Sequence, residues 1–198
     1  MAYFMDLRRI FIVTEGFKLA IDDALFFCRR LTMACLGFLF ATGIGATEAY
    51  SARASIVSDG DTLWVDPDGG GLPRKLRLQG VDAPEICQRG GVAAREALRA
   101  LVMHHTLKVR VKYFDDYGRG LAHIEVDGQD VAAALVRQGQ AWSYRWRRSL
   151  GPYAAQEALA RQDRIGVFAQ PTPELPRDFR RRNGSCYVPD GNGAFKLK

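Results

Sequence analysis

Histidine is scarce in this chain, and its positions argue against one large group of metal sites. The three histidines are His104 and His105, at the end of a predicted helix, and His123, in a predicted strand. None has the spacing that zinc ligands use. The chain also lacks a serine nucleophile elbow and a phosphate-cradling glycine loop. The sequence therefore does not indicate zinc chemistry, a histidine-bound metal or a serine nucleophile.

Cysteine is almost as rare, with four residues in 198. Cys28 lies before, and Cys35 within, an apolar run at residues 31–47. A chain that is cleaved after this run keeps only Cys87 and Cys186. An even pair in an exported protein favours one disulfide, which would hold the C-terminal tail beside the loop after Glu85. Two unpaired thiols are the alternative, because sequence alone does not fix geometry.

Residues 31–47 are uncharged, but this run is slightly shorter than the about 20 residues that a membrane-spanning helix needs. It follows Arg29 and Arg30 and ends in small residues, which is the layout of a secretory signal. We therefore assign residues 1–49 to an N-terminal extension and expect a secreted or periplasmic protein. An uncleaved membrane anchor, with the domain facing the periplasm, is the alternative.

The charge balance favours an anionic partner. The chain has 28 Lys and Arg against 22 Asp and Glu, a net charge of +6. Residues 1–49 contain five of each sign, so the whole excess lies in residues 50–198. Nucleic acid and an anionic membrane surface are the leading partners for such a domain. Hydrophobic and charged contents of 47% and 25% are typical of a soluble globular protein.

Short alternating segments predict an α+β, mainly β, domain over residues 50–169. In residues 106–114, for example, apolar and basic side chains alternate, the pattern of a half-buried strand. Five such strands, with one helix among them and two after, predict a Greek-key barrel of the OB type capped by about three helices. The predicted helices cover residues 91–104, 131–138 and 153–164.

Residues 170–198 are rich in proline, arginine and glycine. They predict an extended basic tail without a core of its own. Within them, Arg180, Arg181 and Arg182 form a charge run, which is more typical of a solvated face than of a binding site.

Residues 75–85 carry the chain's most informative pattern, which reads KLRLQGVDAPE. Its first half alternates like a strand, and Pro84 ends the strand because it has no amide hydrogen. Asp82 and Glu85 therefore lie at the strand exit near Arg77. Two carboxylates and an arginine on one rigid strand end can hold a hard cation beside a phosphate. Taken alone, the pattern also fits an ordinary charged strand end.

Four motifs in order resemble the staphylococcal nuclease-like (thermonuclease) family, in an exported bacterial-type form. They are DGDT at residues 59–62, RLQGVDAPE at 77–85, DDYGRGLA at 115–122 and ALVRQGQA at 134–141. The resemblance covers about residues 53–169. It implies an OB-fold phosphodiesterase that uses Ca²⁺ to cleave DNA and RNA.

The resemblance also implies a metal site. Asp61 and Asp82 match the carboxylate ligands, and the backbone carbonyl of Ala83 matches the third protein ligand. Asp59 matches an acidic position near the metal that is not a ligand. Glu85 matches the general base that orients the attacking water. A carboxylate beside a divalent cation is a weak base, so holding the water is the alternative role.

The remaining matched positions imply contacts with substrate. Arg77 and Arg119 match the pair that grips the phosphate, where a forked guanidinium donates two hydrogen bonds. Tyr117, Tyr144 and Trp146 are expected to flank or stack on nucleotides. Trp142 should point away from them, and its place is open between the core and the substrate.

These inferences predict a monomeric, Ca²⁺-dependent nuclease acting on DNA, RNA or both, with no protein partner implied. A non-catalytic nucleic-acid-binding OB-fold module is the alternative. Such modules usually lack the acidic and arginine positions, and all five are present here.

Overall fold

A computed structural model describes residues 49–192 and 195–198, which belong to one compact unit. The predicted signal or anchor at residues 31–47 lies outside the described residues. Within the described ranges, no helix has the length and apolar character needed to cross a membrane.

Five long strands form a closed, mainly antiparallel barrel. The described strands are β1 (Ala49–Val57), β2 (Thr62–Pro67), β3 (Arg74–Leu78), β4 (Val81–Asp82), β5 (Thr106–Phe114), β6 (Gly120–Val126), β7 (Gln129–Asp130), β8 (Trp142–Ser143), β9 (Tyr187–Pro189) and β10 (Phe195–Leu197). The order of the barrel strands is β3-β2-β1-β5-β6, and a parallel pairing of β3 with β6 closes the barrel. This confirms the predicted five-stranded OB-type barrel.

Strand β5 shows why the alternating pattern was informative. Leu107, Val109 and Val111 point into the barrel and are buried, whereas Lys108 and Arg110 on the opposite face are exposed. A strand places successive side chains on opposite faces, so one apolar face is enough to define its register.

Helices close the barrel and build a second, smaller core. Asp130 caps the helix Val131–Arg137 by accepting hydrogen bonds from the backbone amides of Ala132 and Ala133 at 2.9 and 3.2 Å. Trp142 is 3% exposed and packs edge-to-face on Phe168, which places it in the smaller core. The described helices are α1 (Gly91–Val102), α2 (Val131–Arg137), α3 (Ala154–Gln162) and α4 (Pro176–Asn183), with a 3₁₀ turn at Gly166–Ala169.

The C-terminal segment differs from the extended tail that the sequence predicted. It contains α4 and an antiparallel β9–β10 hairpin. Cys186 is 2% exposed and forms a disulfide with Cys87. The prediction was wrong because this long-range attachment, together with packing of Leu175 on the smaller core, offsets the entropy of ordering a polar segment.

Candidate functional site

One open cleft of about 1240 Å³ collects most of the predicted site residues. Asp61 and Ala83 do not line it, because they are buried, with 3% and 4% of their surface exposed. The predicted residues that line the cleft are Arg77, Asp82, Glu85, Tyr117, Arg119, Tyr144 and Trp146. Asp59, Asp115 and Arg180 line it as well.

The register of β3 explains why three distant motifs meet. Arg77 lies opposite Thr62 on β2 and opposite Leu121 on β6. The pairing with β2 places Arg77 beside the turn that carries Asp61, and the pairing with β6 places it beside the turn that carries Arg119. Arg77 is therefore central because β3 is the strand that closes the barrel.

The turn before β2 requires glycine for packing. A Cβ added to Gly60 would lie 2.6 Å from the Cβ of Ala94 on α1 and 2.7 Å from the Cβ of Ala83. Only glycine lets this turn approach both neighbours so closely. The DGDT motif thus brings Asp61 up against the backbone of Ala83.

Arg77 bridges the two carboxylates that the resemblance assigns to a metal. Its Nη1 donates to Oδ1 of Asp61 at 2.8 Å, and its Nη2 lies 2.7 Å from Oδ2 of Asp61 and 3.2 Å from Oδ1 of Asp82. Burial alone would lower the pKa of Arg77, but the charges of Asp61 and Asp82 raise it above its ordinary value. The guanidinium therefore stays charged between them.

Negative charge at this end of the cleft exceeds what its arginines neutralise. Burial, together with the charge of Asp61, raises the pKa of Asp59 to about 7. The same two causes, in the same order, raise the pKa of Asp82 to about 6, although Arg180 and Arg77 partly oppose the increase. Carboxylates that resist ionisation beside one another form a site that an added cation would stabilise.

Asp59→Asn is expected to stabilise the metal-free protein above pH 7. The raised pKa means that the folded state binds more protons than the unfolded state between about pH 4 and pH 7, so stability falls as pH rises through that window. The neutral amide removes this loss, and its oxygen can still accept from the amide of Asp61, as Oδ1 of Asp59 does at 3.1 Å. We expect a gain of about 1–3 kcal/mol at pH 8 and almost none at pH 4.

Urea unfolding in the presence of a chelator measures this difference. Equal effects of the substitution at pH 4 and pH 8 would contradict the raised pKa of Asp59.

Arg119 is held in place by the turn that presents it. Its Nε donates to Oδ2 of Asp115 at 2.8 Å, and Nη2 lies 2.8 Å from the same oxygen. Burial alone would raise the pKa of Asp115, but hydrogen bonds from the backbone and side chain of Arg119 lower it. The guanidinium also lies over the ring of Tyr117, 5.2 Å from its centroid. Asp115 thus fixes one edge of the guanidinium in a cleft-lining position.

Three large aromatic side chains extend the cleft and are open to solvent. Tyr117 is 84% exposed, Tyr144 46% and Trp146 64%. Exposed aromatic faces beside a cleft that contains Arg77 and Arg119 suit stacking on nucleotide bases. Trp142, two residues before Tyr144, is buried in the smaller core instead, because the regular strand geometry ends with β8 at Ser143.

Glu157 positions the segment that carries two of these aromatics, and the sequence analysis did not identify it. Its side chain is 2% exposed, and its Oε2 accepts from the amide of Ser143 at 2.9 Å. Its Oε1 accepts from Arg145 at 2.7 Å and from Arg161 at 2.8 Å. No local pattern distinguishes Glu157 from a solvated glutamate on α3, so only tertiary structure shows this role.

Glu157→Gln is expected to weaken substrate binding and to lower stability. The amide loses charge-assisted hydrogen bonds from Arg145 and Arg161, which typically costs about 1–3 kcal/mol. We expect KM for a single-stranded oligonucleotide to rise several-fold with a smaller change in kcat. Glu96→Gln, on the exposed face of α1, is the control. Steady-state kinetics on both variants test this, and a normal KM for Glu157→Gln would contradict it.

Arg180 is a second residue that the sequence analysis misjudged. Its Nη1 lies 2.5 Å from Oε1 of Glu85 and 3.6 Å from Oδ1 of Asp82. The expectation of a solvated charge run is therefore wrong for this arginine. The cysteine pair was the available signal, because a disulfide from Cys186 to Cys87 brings residue 180 within reach of Glu85.

The donor set fits a hard divalent cation. Asp61 and Asp82 supply carboxylate oxygens beside the backbone of Ala83. Burial first, and then the charge of Asp61, raise the pKa values of Asp59 and Asp82, so a nearby cation would favour their ionised forms. Oxygen ligands of this kind suit Ca²⁺, which also retains water ligands. In the described part of the chain, no three His, Cys, Asp or Glu side chains form a group that could hold a metal ion between them.

Comparison with known proteins identifies the family. Residues 75–170 match the family model described as staphylococcal nuclease homologue. An "Uncharacterized endonuclease" from Haemophilus influenzae is 30% identical over 155 residues, which cover 78% of this chain and 86% of that protein. The chain belongs to the staphylococcal nuclease family. A "Micrococcal nuclease" from Shigella flexneri is 32% identical over 138 residues, covering 63% of this chain and 77% of the relative.

Plant members of the family are longer than the matched region. A "Probable staphylococcal-like nuclease CAN1" from Oryza sativa is 37% identical over 114 residues, 57% of this chain but 34% of that protein. The matches span 42% of two further plant relatives. The chain therefore spans less than half of the length of these plant relatives.

Proposed function

We propose that this protein is a Ca²⁺-dependent nuclease that hydrolyses phosphodiester bonds in DNA, RNA or both. The observation that carries the proposal is the meeting of Arg77, Asp82, Glu85 and Arg119 in one cleft that is also lined by exposed aromatic rings. The names of the Haemophilus and Shigella relatives support the same activity.

The two arginines would bind and neutralise the phosphate. In-line attack at phosphorus places added negative charge on the equatorial oxygens, and a guanidinium fork matches their geometry with two hydrogen bonds. Arg119 is preorganised for this by Asp115, which holds one edge of the guanidinium and leaves the rest facing the cleft. Arg77 lies on β3 opposite Leu121, two residues after Arg119, and lines the same cleft.

Glu85 would hold the attacking water. Its carboxylate lines the cleft at the end of the turn after β4, and its backbone amide donates to Oε1 of Gln88 at 3.1 Å. The carboxylate is 25% exposed, so it can reach a water that enters with the substrate. Orientation of the water, with acceptance of its proton as the bond forms, is the role that this position supports.

Asp61, Asp82 and the carbonyl of Ala83 would hold the cation. When bound, Ca²⁺ would offset phosphate charge and help to organise the attacking water. Asp61 is oriented for this by hydrogen bonds from the hydroxyl of Thr62 at 2.9 Å and the amide of Ala83 at 3.3 Å. Asp59 adds negative charge next to the ligands, and its backbone belongs to the same tight turn.

Cleavage of labelled oligonucleotides tests the proposal against a purely binding role. The purified protein is incubated with end-labelled single-stranded DNA and RNA in Ca²⁺, and the products are separated by size. We expect shortened products from at least one substrate. If the protein binds both oligonucleotides in a gel-shift assay but leaves both of them intact in Ca²⁺, it is a non-catalytic nucleic-acid-binding module.

We also propose that the domain is exported. The Cys87–Cys186 disulfide supports this, since structural disulfides persist mainly in oxidising compartments. N-terminal sequencing of the mature protein tests the proposal. A start near residue 50 indicates a cleaved signal, an intact N-terminus on an exported chain indicates a retained anchor, and reduced protein confined to the cytoplasm would contradict export.

A further inference from the structure

Arg180 is the only member of the 180–182 arginine run that lines the cleft. Arg181 pairs with Asp178 at 3.6 Å, and its side chain is 78% exposed. Arg182 pairs with Glu174 at 2.5 Å, and its side chain is 67% exposed. Helix α4 thus presents one arginine to Glu85 and turns its two neighbours to other partners.

Helix α4 is attached to the loop that carries Glu85 at two points. Cys186, three residues after the helix, is bonded to Cys87. At the other end, Nε2 of Gln88 donates to the carbonyl of Glu174 at 2.8 Å. Gln88 is 7% exposed and accepts from the amide of Glu85 through its other side-chain atom. The attachments therefore flank the helix and meet within three residues of Glu85.

We propose that Arg180 is a positioning residue for Glu85, and that the disulfide-anchored C-terminal segment is an integral part of the active site. This inference rests on the proposed nuclease function. A glutamate on a turn has three side-chain torsions, and a water-holding role needs one orientation of its carboxylate. The ion pair to Arg180 restricts that orientation, and even a misplacement of about 1 Å can cost about 10²-fold in rate.

Stability alone does not account for the position of Arg180 on α4. The ion pair of a 42% exposed arginine with a 25% exposed glutamate contributes little to folding, because solvent screens it. Its position in the cleft, within 3.6 Å of Asp82 as well, is instead where an added guanidinium affects the chemistry. The helix places a charge in the site that the barrel motifs do not supply.

Substitution of Arg180 is the first test. We expect Arg180→Gln to lower kcat by about 10- to 50-fold while KM changes less than about threefold, since the loss is in geometry and not in substrate affinity. Arg180→Lys, which keeps the charge, should recover most of the loss. Arg181→Gln, on the same helix, should stay within about twofold of wild type. Unchanged or increased kcat in Arg180→Gln would overturn the proposal.

The disulfide should act through Arg180. In a Cys87→Ser/Cys186→Ser variant that retains its fold by circular dichroism, we expect kcat to fall to a similar degree. Adding Arg180→Gln to that variant should then lower kcat by less than about twofold, because the arginine has already lost its position. If Arg180→Gln lowers kcat by the same factor with and without the disulfide, the disulfide does not act through Arg180. If the serine variant unfolds, the kcat of Arg180→Gln with the disulfide intact is the deciding measurement.

A readout without turnover separates this proposal from the nuclease proposal. Thermal unfolding of Arg180→Gln, Glu85→Gln and the double variant forms a double-mutant cycle. We expect a non-additive shift of about 1–3 °C in Tm for this pair, and none for Arg181→Gln with Glu85→Gln. Additive shifts for both pairs would overturn the Arg180–Glu85 contact, whereas absence of hydrolysis by wild-type protein would overturn the proposed function alone.

Discussion

Arg119→Lys is expected to lower kcat by about 10²- to 10³-fold, the usual cost of removing one preorganised donor to a developing oxyanion. Lysine keeps the positive charge but cannot donate two parallel hydrogen bonds to the phosphate. It also cannot reproduce the paired contact of Nε and Nη2 with Asp115 that holds the guanidinium in place. Steady-state kinetics on a single-stranded oligonucleotide measure the effect.

The free energy of unfolding of Arg119→Lys shows whether a loss of activity comes from a loss of stability. The side chain of Arg119 lies at the cleft surface, so the free energy of unfolding should change by less than about 1 kcal/mol. Arg53→Lys is the matched control, because Arg53 is 66% exposed on β1 and its Nε lies 3.7 Å from Oδ1 of the exposed Asp68. A folded Arg119→Lys variant with near-normal kcat would contradict the phosphate-binding role.

Asp82→Asn is expected to move activity and stability in opposite directions. It removes one of the two carboxylates proposed to hold Ca²⁺, so kcat/KM at fixed Ca²⁺ should fall by about 10³-fold, since metal-assisted charge stabilisation contributes several kcal/mol. In the metal-free protein at pH 8, the same change should raise stability by about 1–3 kcal/mol. The reason is that burial and the charge of Asp61 raise the pKa of Asp82 to about 6, so its ionised form is costly.

The sign of the stability effect follows from that raised pKa. Between about pH 4 and pH 6 the folded state binds more protons at Asp82 than the unfolded state, so wild-type stability falls as pH rises through this window. The gain from Asp82→Asn should therefore vanish at pH 4. Differential scanning calorimetry with and without Ca²⁺ adds a second readout, since Ca²⁺ should raise the Tm of wild type much more than that of Asp82→Asn.

Asp66→Asn is the control for Asp82→Asn. Asp66 is an exposed acidic residue on β2 whose Oδ1 accepts a long hydrogen bond, 3.4 Å, from the hydroxyl of Ser55. Its substitution should leave both the activity and the Ca²⁺-induced rise in Tm unchanged. Equal calcium responses in wild type and Asp82→Asn would contradict the assignment of Asp82 as a ligand.

The barrel could be predicted because its signals are local. The alternation of β5 defines which side chains enter the core, and Asp130 caps the start of α2. Each of these features depends on a few neighbouring residues, and backbone geometry translates them directly into an element. The motif order then placed the barrel in a family whose site positions could be matched one by one.

The parts that could not be predicted depend on contacts between distant residues. Glu157 is an ordinary glutamate in its own helix, and its role arises only because Ser143 and Arg145 lie beside it in the fold. Arg180 lies in a polar run that composition assigns to solvent, yet its helix is ordered by Cys186 and Leu175. The cysteine pair predicted that the tail returns to the Glu85 loop, but not that a helix lies between.

Asp61 shows a limit of another kind. Its carboxylate was matched to a metal ligand, and the structure shows it engaged with Arg77, Thr62 and Ala83 instead. Motif matching assigns a residue to a site but does not give its partners when no cation is bound. Those partners explain why Arg77 and the acidic cluster stay together in the metal-free fold.

The most direct test of the central claim is the initial rate of single-stranded DNA and RNA hydrolysis at defined free Ca²⁺ concentrations. Wild-type protein is assayed with Ca²⁺, after removal of Ca²⁺ with a chelator, and after Ca²⁺ is restored, with Asp82→Asn assayed in parallel. We predict saturable hydrolysis by wild type that disappears on chelation and returns on restoration, with little activity from the variant. Hydrolysis that persists undiminished in the chelator, or that Asp82→Asn performs normally, would contradict a cation held by Asp61 and Asp82.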